Sequence, residues 1–134
     1  MPPHRHAHRV LFGDCDPAGI VYYPRFFAWF DRAFHDWLLA HGGHRALCVR
    51  LNAVGFGLTA ADARFHSPAR EGDLLTISLA ITTWNARQLS LDYQVHCGDR
   101  LIASGNEQRR LFLHNGERII AGDMLRLKEL MDAG

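Results

Sequence analysis

Two carboxylates stand two residues apart in the run Phe12-Gly13-Asp14-Cys15-Asp16-Pro17-Ala18-Gly19-Ile20-Val21-Tyr22-Tyr23-Pro24. Pro17 restricts Asp16 to extended backbone, and Gly19 permits a sharp turn. Pro24 suits the first position of a helix, where its missing N–H would have had no partner. A helix starting there presents unpaired amides and the positive end of its dipole to the loop. A carboxylate facing such donors can attack a carbonyl while the donors stabilise the oxyanion that forms. The same residues also fit a structural reading, in which Asp14 or Asp16 only caps the loop and the helix. Cys15 is a poor nucleophile, because two flanking carboxylates raise a thiol pKa and suppress the thiolate. It is read as a packing residue, and Asp14 as a residue that holds the loop by hydrogen bonds.

The elements that must carry this loop are legible on either side of it. Pro24–His41, PRFFAWFDRAFHDWLLAH, has no internal Gly or Pro and is stopped by Gly42-Gly43. Phe26, Phe27, Trp29, Phe30, Phe34, Trp37 and Leu38 cover more than one stripe of the helix, so other structure must wrap it. Leu75, Ile77, Leu79 and Ile81 alternate with polar or small residues, as do Leu89, Leu91, Tyr93, Val95 and Cys97, the period of half-buried strands. A third strand runs from Leu101 to His114, with a bulge expected at Gly105. Arg5–Phe12 and Ala60–His66 are further strand candidates, and Met124, Leu127, Leu130 and Met131 space a terminal helix. An antiparallel sheet of about five strands curled around one apolar helix follows, an α+β domain. Its open edges predict a homo-oligomer formed by edge pairing.

A chain of 134 residues forms one domain, 48% hydrophobic and 22% charged with a formal charge of +1. That balance gives no footprint for nucleic acid or an anionic membrane, and no apolar run approaches the roughly 20 residues of a membrane span. The first residues lack the apolar core of a secretory signal. Three widely spaced cysteines fit reduced thiols, and a cytoplasmic protein is expected.

The string F-G-D-C-D-P-A-G-I-V-Y-Y-P-R-F-F-x-W-F-D-R-A, with R-E-G-D-x-L-x-I at Arg70–Ile77, resembles the signature of the 4-hydroxybenzoyl-CoA thioesterase family. The resemblance implies the hotdog fold, hydrolysis of an acyl-CoA thioester to free acid and CoA, and no cofactor. It also implies a sheet-extended dimer or a tetramer with active sites at the dimer interface. Carried over position by position, Asp16 becomes the catalytic carboxylate, as nucleophile or as general base on water. The Tyr23 backbone N–H becomes the oxyanion donor, and Gly19 lets the loop approach the thioester. A family acid on the helix matches Asp31, which can meet a ring hydroxyl of the acyl group or serve structure by pairing with Arg32 or a partner chain. Trp29 is a core residue or lines an acyl pocket.

Cations that meet CoA phosphates in the family are reduced here to Arg87 in Asn85-Ala86-Arg87-Gln88, with Arg64, Arg70 and Arg100 as further candidates, so an acyl-carrier-protein substrate stays open. His4, His6 and His8 would share one face of a strand and could bind a transition metal. The expectation is instead a solvated, flexible terminus over residues 1–8 and no metal site. Two rivals remain beside the thioesterase: a non-catalytic hotdog dimer that binds acyl-CoA, and a hydratase or dehydratase of acyl thioesters. The second ranks lower because that chemistry pairs an Asp with a nearby His, and none flanks Asp16.

Overall fold

The computed structural model describes residues 2–134. Strand β1 (His4–Arg9) leads through one 3-10 turn (Phe12–Asp14) and the acidic loop into helix α1 (Pro24–Leu39). A short helix α2 (His44–Leu51) follows, then β2 (Ala53–Phe65), β3 (Leu74–Trp84), β4 (Leu89–Cys97), β5 (Arg100–Asn115), β6 (Arg118–Ala121) and helix α3 (Leu125–Ala133). The sheet is antiparallel in the order β1-β3-β4-β5-β2, with β6 added to the end of β5. This is the hotdog arrangement; the expected order of strand, long helix, run of antiparallel strands and terminal helix is present, with α2 and the short β6 in addition.

Helix α1 buries Phe26, Trp29, Phe30, Ala33, Phe34, Trp37 and Leu38. They meet the inward residues of the sheet, among them Leu75, Ile77, Leu79, Leu91, Tyr93 and Val95. The Phe30 ring stacks on Tyr93 at 4.7 Å between centroids, fixing the helix against the middle of the sheet.

Three expectations need correction or extension. The histidine-rich start is not a flexible terminus: His4–Arg9 pair in register with Leu74–Leu79 as an edge strand. The physical reason lies in its inward face, where His4 Nε2 lies 2.7 Å from Asp36 Oδ2 and His8 Nε2 lies 3.0 Å from Asp14 Oδ2. Gly105 is not a bulge: it pairs in register with both Ala63 and Tyr93. A Cβ there would overlap the Phe30 ring and come within 2.8 Å of the Asp62 carbonyl oxygen, so the glycine admits the helix to the sheet. The shifts of register against β5 fall instead at Ala53/Gly55, Leu58/Ala60 and Val95/His96. Helix α2 was not anticipated. It is closed by Asn52 in the left-handed region (φ 52°) and buries only Leu47, Cys48 and Leu51, too brief a pattern to register as a helix.

Among the described residues no helix is long and apolar enough to cross a membrane, and no group of three or more His, Cys, Asp or Glu side chains is placed to hold a metal ion.

Candidate active site

The acidic loop is a small knot of backbone hydrogen bonds. Asp16 N–H donates to Ile20 O (3.0 Å), and Gly19 N–H donates back to Asp16 O (2.9 Å). Cys15 bridges Val21 across the loop, and Gly19 takes φ +79°, the conformation that suits a residue without Cβ. Val21 N–H donates to Ala69 O (2.8 Å), tying the loop to the connection between β2 and β3.

Asp14 is the peg at its base. Its Oδ2 accepts from the Leu11 amide (3.0 Å) and from His8 Nε2 (3.0 Å), while its backbone oxygen accepts from the Tyr22 amide (2.9 Å). Burial opposes its charge, but the Leu11 amide, His8 and Arg25 outweigh that effect and hold its pKa below the ordinary carboxylate value. Cys15 packs against the core, with its Sγ 3.8 Å from Leu11 O.

Asp16 is half-buried, and its Oδ1 accepts one local bond, from the Ala18 amide at 2.8 Å. The amides flanking the start of α1 are engaged, Tyr22 with Asp14 O and Arg25 with Tyr22 O, whereas the Tyr23 amide has no acceptor among the described residues. Asp16 and Tyr23 line one pocket of ≈ 460 Å³ whose remaining wall is mostly apolar, including Ile20, Phe26, Phe65 and Ala69. A carboxylate with free lone pairs, an unpaired amide at a helix start and an apolar wall suit a reaction that builds negative charge on a carbonyl oxygen.

His66 lines the same pocket, its Nε2 2.9 Å from Ser104 Oγ. Sequence reasoning missed it, because it lies just past the end of β2, fifty residues from Asp16, and only the sheet topology joins them.

The other anticipated residues lie elsewhere within the single chain. Trp29 and Asp31 line a larger, more open cleft of ≈ 720 Å³ on the polar side of α1, with His6, His35 and Asp36. Trp29 is a core residue, 5% exposed, packed on Phe26 and His8. Burial lowers the His35 pKa, with Asp31 opposing the shift. Within the chain Asp31 pairs with Arg109 rather than with Arg32: its Oδ1 accepts from Arg109 Nη2 at 2.8 Å. Arg109 also binds Glu107 through Nε (3.1 Å) and Nη2 (3.2 Å), and Tyr93 donates its hydroxyl to Glu107 Oε1 at 2.6 Å. The signal for this buried network was present as two charged residues at inward positions of β5. Arg87 is exposed in the turn between β3 and β4, where its carbonyl accepts from Arg110 Nε (3.1 Å). Arg100 stands nearer the pocket, donating to Pro68 O at 2.6 Å.

The fold is that of a hotdog protein, and the thioesterase class follows from likeness to known chains. The profile of the Thioesterase-like superfamily matches residues 10–129, and the chain belongs to that family. It is 32% identical to the 4-hydroxybenzoyl-CoA thioesterase of Pseudomonas sp. (strain CBS-3) over 120 residues, 84% of this chain and 85% of that one. It is 29% identical to a 1,4-dihydroxy-2-naphthoyl-CoA hydrolase of Synechocystis sp. over 87 residues, 65% of this chain and 63% of that one. Among solved structures it resembles an Asp-to-Asn variant of 4-hydroxybenzoyl-CoA thioesterase complexed with 4-hydroxybenzoyl-CoA, with a TM-score of 0.84 and 29% identity, covering 96% of this chain and 98% of that one. These named relatives are thioester hydrolases that act on CoA esters.

Proposed function

We propose that this chain, as a single cytoplasmic domain, hydrolyses an acyl-CoA thioester to the free acid and CoA, with Asp16 as the catalytic carboxylate and the Tyr23 amide as oxyanion donor. The observation that carries this reading is the sharing of one apolar pocket by a half-buried carboxylate with a single local bond and an unpaired helix-start amide. As general base, Asp16 takes a proton from water while the hydroxide attacks the carbonyl carbon; as nucleophile, it forms a mixed anhydride that water then cleaves. In either case the carbon–sulfur bond breaks and the electron pair leaves on sulfur. A thiolate departs without a proton, so no separate acid is required. The apolar wall at Phe26 and Phe65, whose rings lie 5.6 Å apart, suits an apolar acyl group.

The working unit is a homodimer or a pair of dimers. Exposed edges at β1 and β2 support this, as does the exposure of Tyr22, Phe65 and Leu58, each about half accessible, near the pocket mouth and along β2. In that unit Arg87 and Asp31 contact substrate bound across protomers, and the edge of Trp29 that borders the Asp31 cleft forms part of its wall.

His66 in the Asp16 pocket supports a second reading, addition of water to an enoyl thioester, since an Asp and a His could then share the proton transfers. One assay tells these apart. Purified protein is incubated with acetyl-, hexanoyl-, crotonyl- and benzoyl-CoA, and free thiol and enoyl absorbance are followed. Thioester hydrolysis predicts thiol release that falls about 10²–10⁴-fold in Asp16→Asn, the span typical of a lost acid–base group. Crotonyl absorbance lost without thiol selects hydration, and CoA binding without turnover of any thioester selects a binding module.

A further inference from the structure

We propose that His8 is a positioning residue of this active site, setting the Asp16 carboxylate and the Tyr23 amide in register through Asp14. The inference rests on the thioesterase reading above and adds to it a residue on a strand that no part of that mechanism uses. His8 reaches inward from β1, with about a fifth of its side chain exposed. Its ring packs on Trp29 at 4.5 Å between centroids, which fixes the plane of the imidazole. Nε2 then meets Asp14 Oδ2 at 3.0 Å. An ionised carboxylate only accepts, so the proton of this bond sits on Nε2.

Asp14 ties together the two halves of the site. Its side chain is gripped by His8 and the Leu11 amide, and its backbone oxygen receives the Tyr22 N–H. The peptide held in this way immediately precedes the free Tyr23 amide, and Asp16 lies two residues along the chain in the other direction. Arg25 Nη2 adds a contact from α1 to the neighbouring Gly13 O at 3.2 Å. The loop base is therefore clamped between strand and helix. Loss of the His8 contact leaves the Asp14 side chain held by the Leu11 amide alone and lets the donor–carboxylate geometry drift, while the pocket wall stays as it is.

The test compares His8→Leu, which removes the donor, with His8→Gln, whose side-chain amide restores one. With benzoyl-CoA, His8→Leu is expected to lower kcat about 10- to 100-fold, the scale of an ångström-level misplacement, with KM within about threefold. His8→Gln is expected to recover most of that loss. Hydrogen exchange reads the clamp without any activity: the Tyr22 amide should lose about tenfold protection in His8→Leu while Leu91 and Val95 in the sheet centre keep theirs, which also shows that the variant is folded. Unchanged kcat in His8→Leu, a His8→Gln variant as slow as His8→Leu, or unchanged Tyr22 protection would each overturn the proposal. A wild-type protein that releases thiol from no acyl-CoA removes the thioesterase reading instead, and the Tyr22 measurement then still decides whether His8 clamps the loop.

Discussion

Asp16 and Glu107 are both carboxylates placed close to helix α1, one on the loop before it and one on the sheet beneath it. Glu107 is 1% exposed and accepts from the Tyr93 hydroxyl and from two nitrogens of Arg109. Asp16 borders a pocket and accepts from one neighbouring amide. The difference is one of spare capacity. Glu107 is committed to fixed partners, joining β4 to β5 and orienting the Arg109 that reaches Asp31 of α1, and no face of it opens to a substrate. Asp16 keeps an oxygen free, the state required of a base or nucleophile. The environment of Glu107 shows in its partners: burial first, then the adjacent carboxylate, pushes the Tyr93 phenol far above its ordinary pKa, so it stays a donor. Burial also works against the Arg109 charge, but Glu107 and Asp31 more than offset it and its pKa stands raised.

The sharpest way to test that division is to break the buried side of it. Arg109→Met is expected to destabilise the protein by about 3–5 kcal/mol, because it leaves the Glu107 charge buried without its counterion. Urea unfolding measures the loss, and Glu107→Leu combined with Arg109→Met should cost clearly less than the sum of the single changes. Additive losses would mean that the two side chains do not act as a pair.

Next in size is the contact that seats α1 on the sheet. Gly105→Ala places a methyl group against the Phe30 ring and 2.8 Å from the Asp62 carbonyl oxygen. Neither neighbour can yield easily, since Phe30 is fully buried and the oxygen is backbone. A loss of about 1–3 kcal/mol is expected, as for other overpacked cores. A neutral result in thermal melts would show that the helix can slide across β5.

The two carboxylates also differ in how far the sequence disclosed them. The acidic loop is contiguous, so Pro17, Gly19 and Pro24 announce its shape and the position of Asp16 ahead of a helix. The period-two strands and the aromatic helix are equally local, and the sheet wrapped around α1 follows from their patterns. What stayed hidden depends on distant pairing. Glu107 and Arg109 lie inward on β5, but their partners Tyr93 and Asp31 come from β4 and α1. His66 reaches the Asp16 pocket only because β2 ends beside the loop. The histidines of β1 looked like a solvated terminus because their partners, Asp14 and Asp36, are brought under the strand by the fold. Gly105 was legible as unusual, but the ring that requires it lies in another element.

Between the committed and the free carboxylate stands Asp14, and acid titration sharpens its place. Its folded pKa lies below the unfolded value, so it contributes stability above the ordinary carboxylate range. That contribution is lost as pH falls through the lowered folded pKa, below about pH 4. Asp14→Asn should therefore have lower stability at neutral pH and a shallower decline in this acid window. Parallel wild-type and variant curves would show that the His8 and Leu11 bonds do not stabilise the ionised form.

The smallest effect on stability is expected at the residue with the largest effect on turnover. Asp16→Asn keeps the side-chain oxygen that accepts from the Ala18 amide, and the loop bonds at Gly19 and Ile20 involve only backbone. No buried counterion loses its partner, because none faces Asp16 among the described residues, so unfolding free energy should change by less than about 0.5 kcal/mol. Thermal melts of wild type and variant at pH 7 should nearly coincide while thiol release collapses. A large loss of stability would assign Asp16 to the same class as Glu107, a carboxylate spent on holding the fold. A gain would fit a charge held at some cost beside an apolar wall, as a reactive group is.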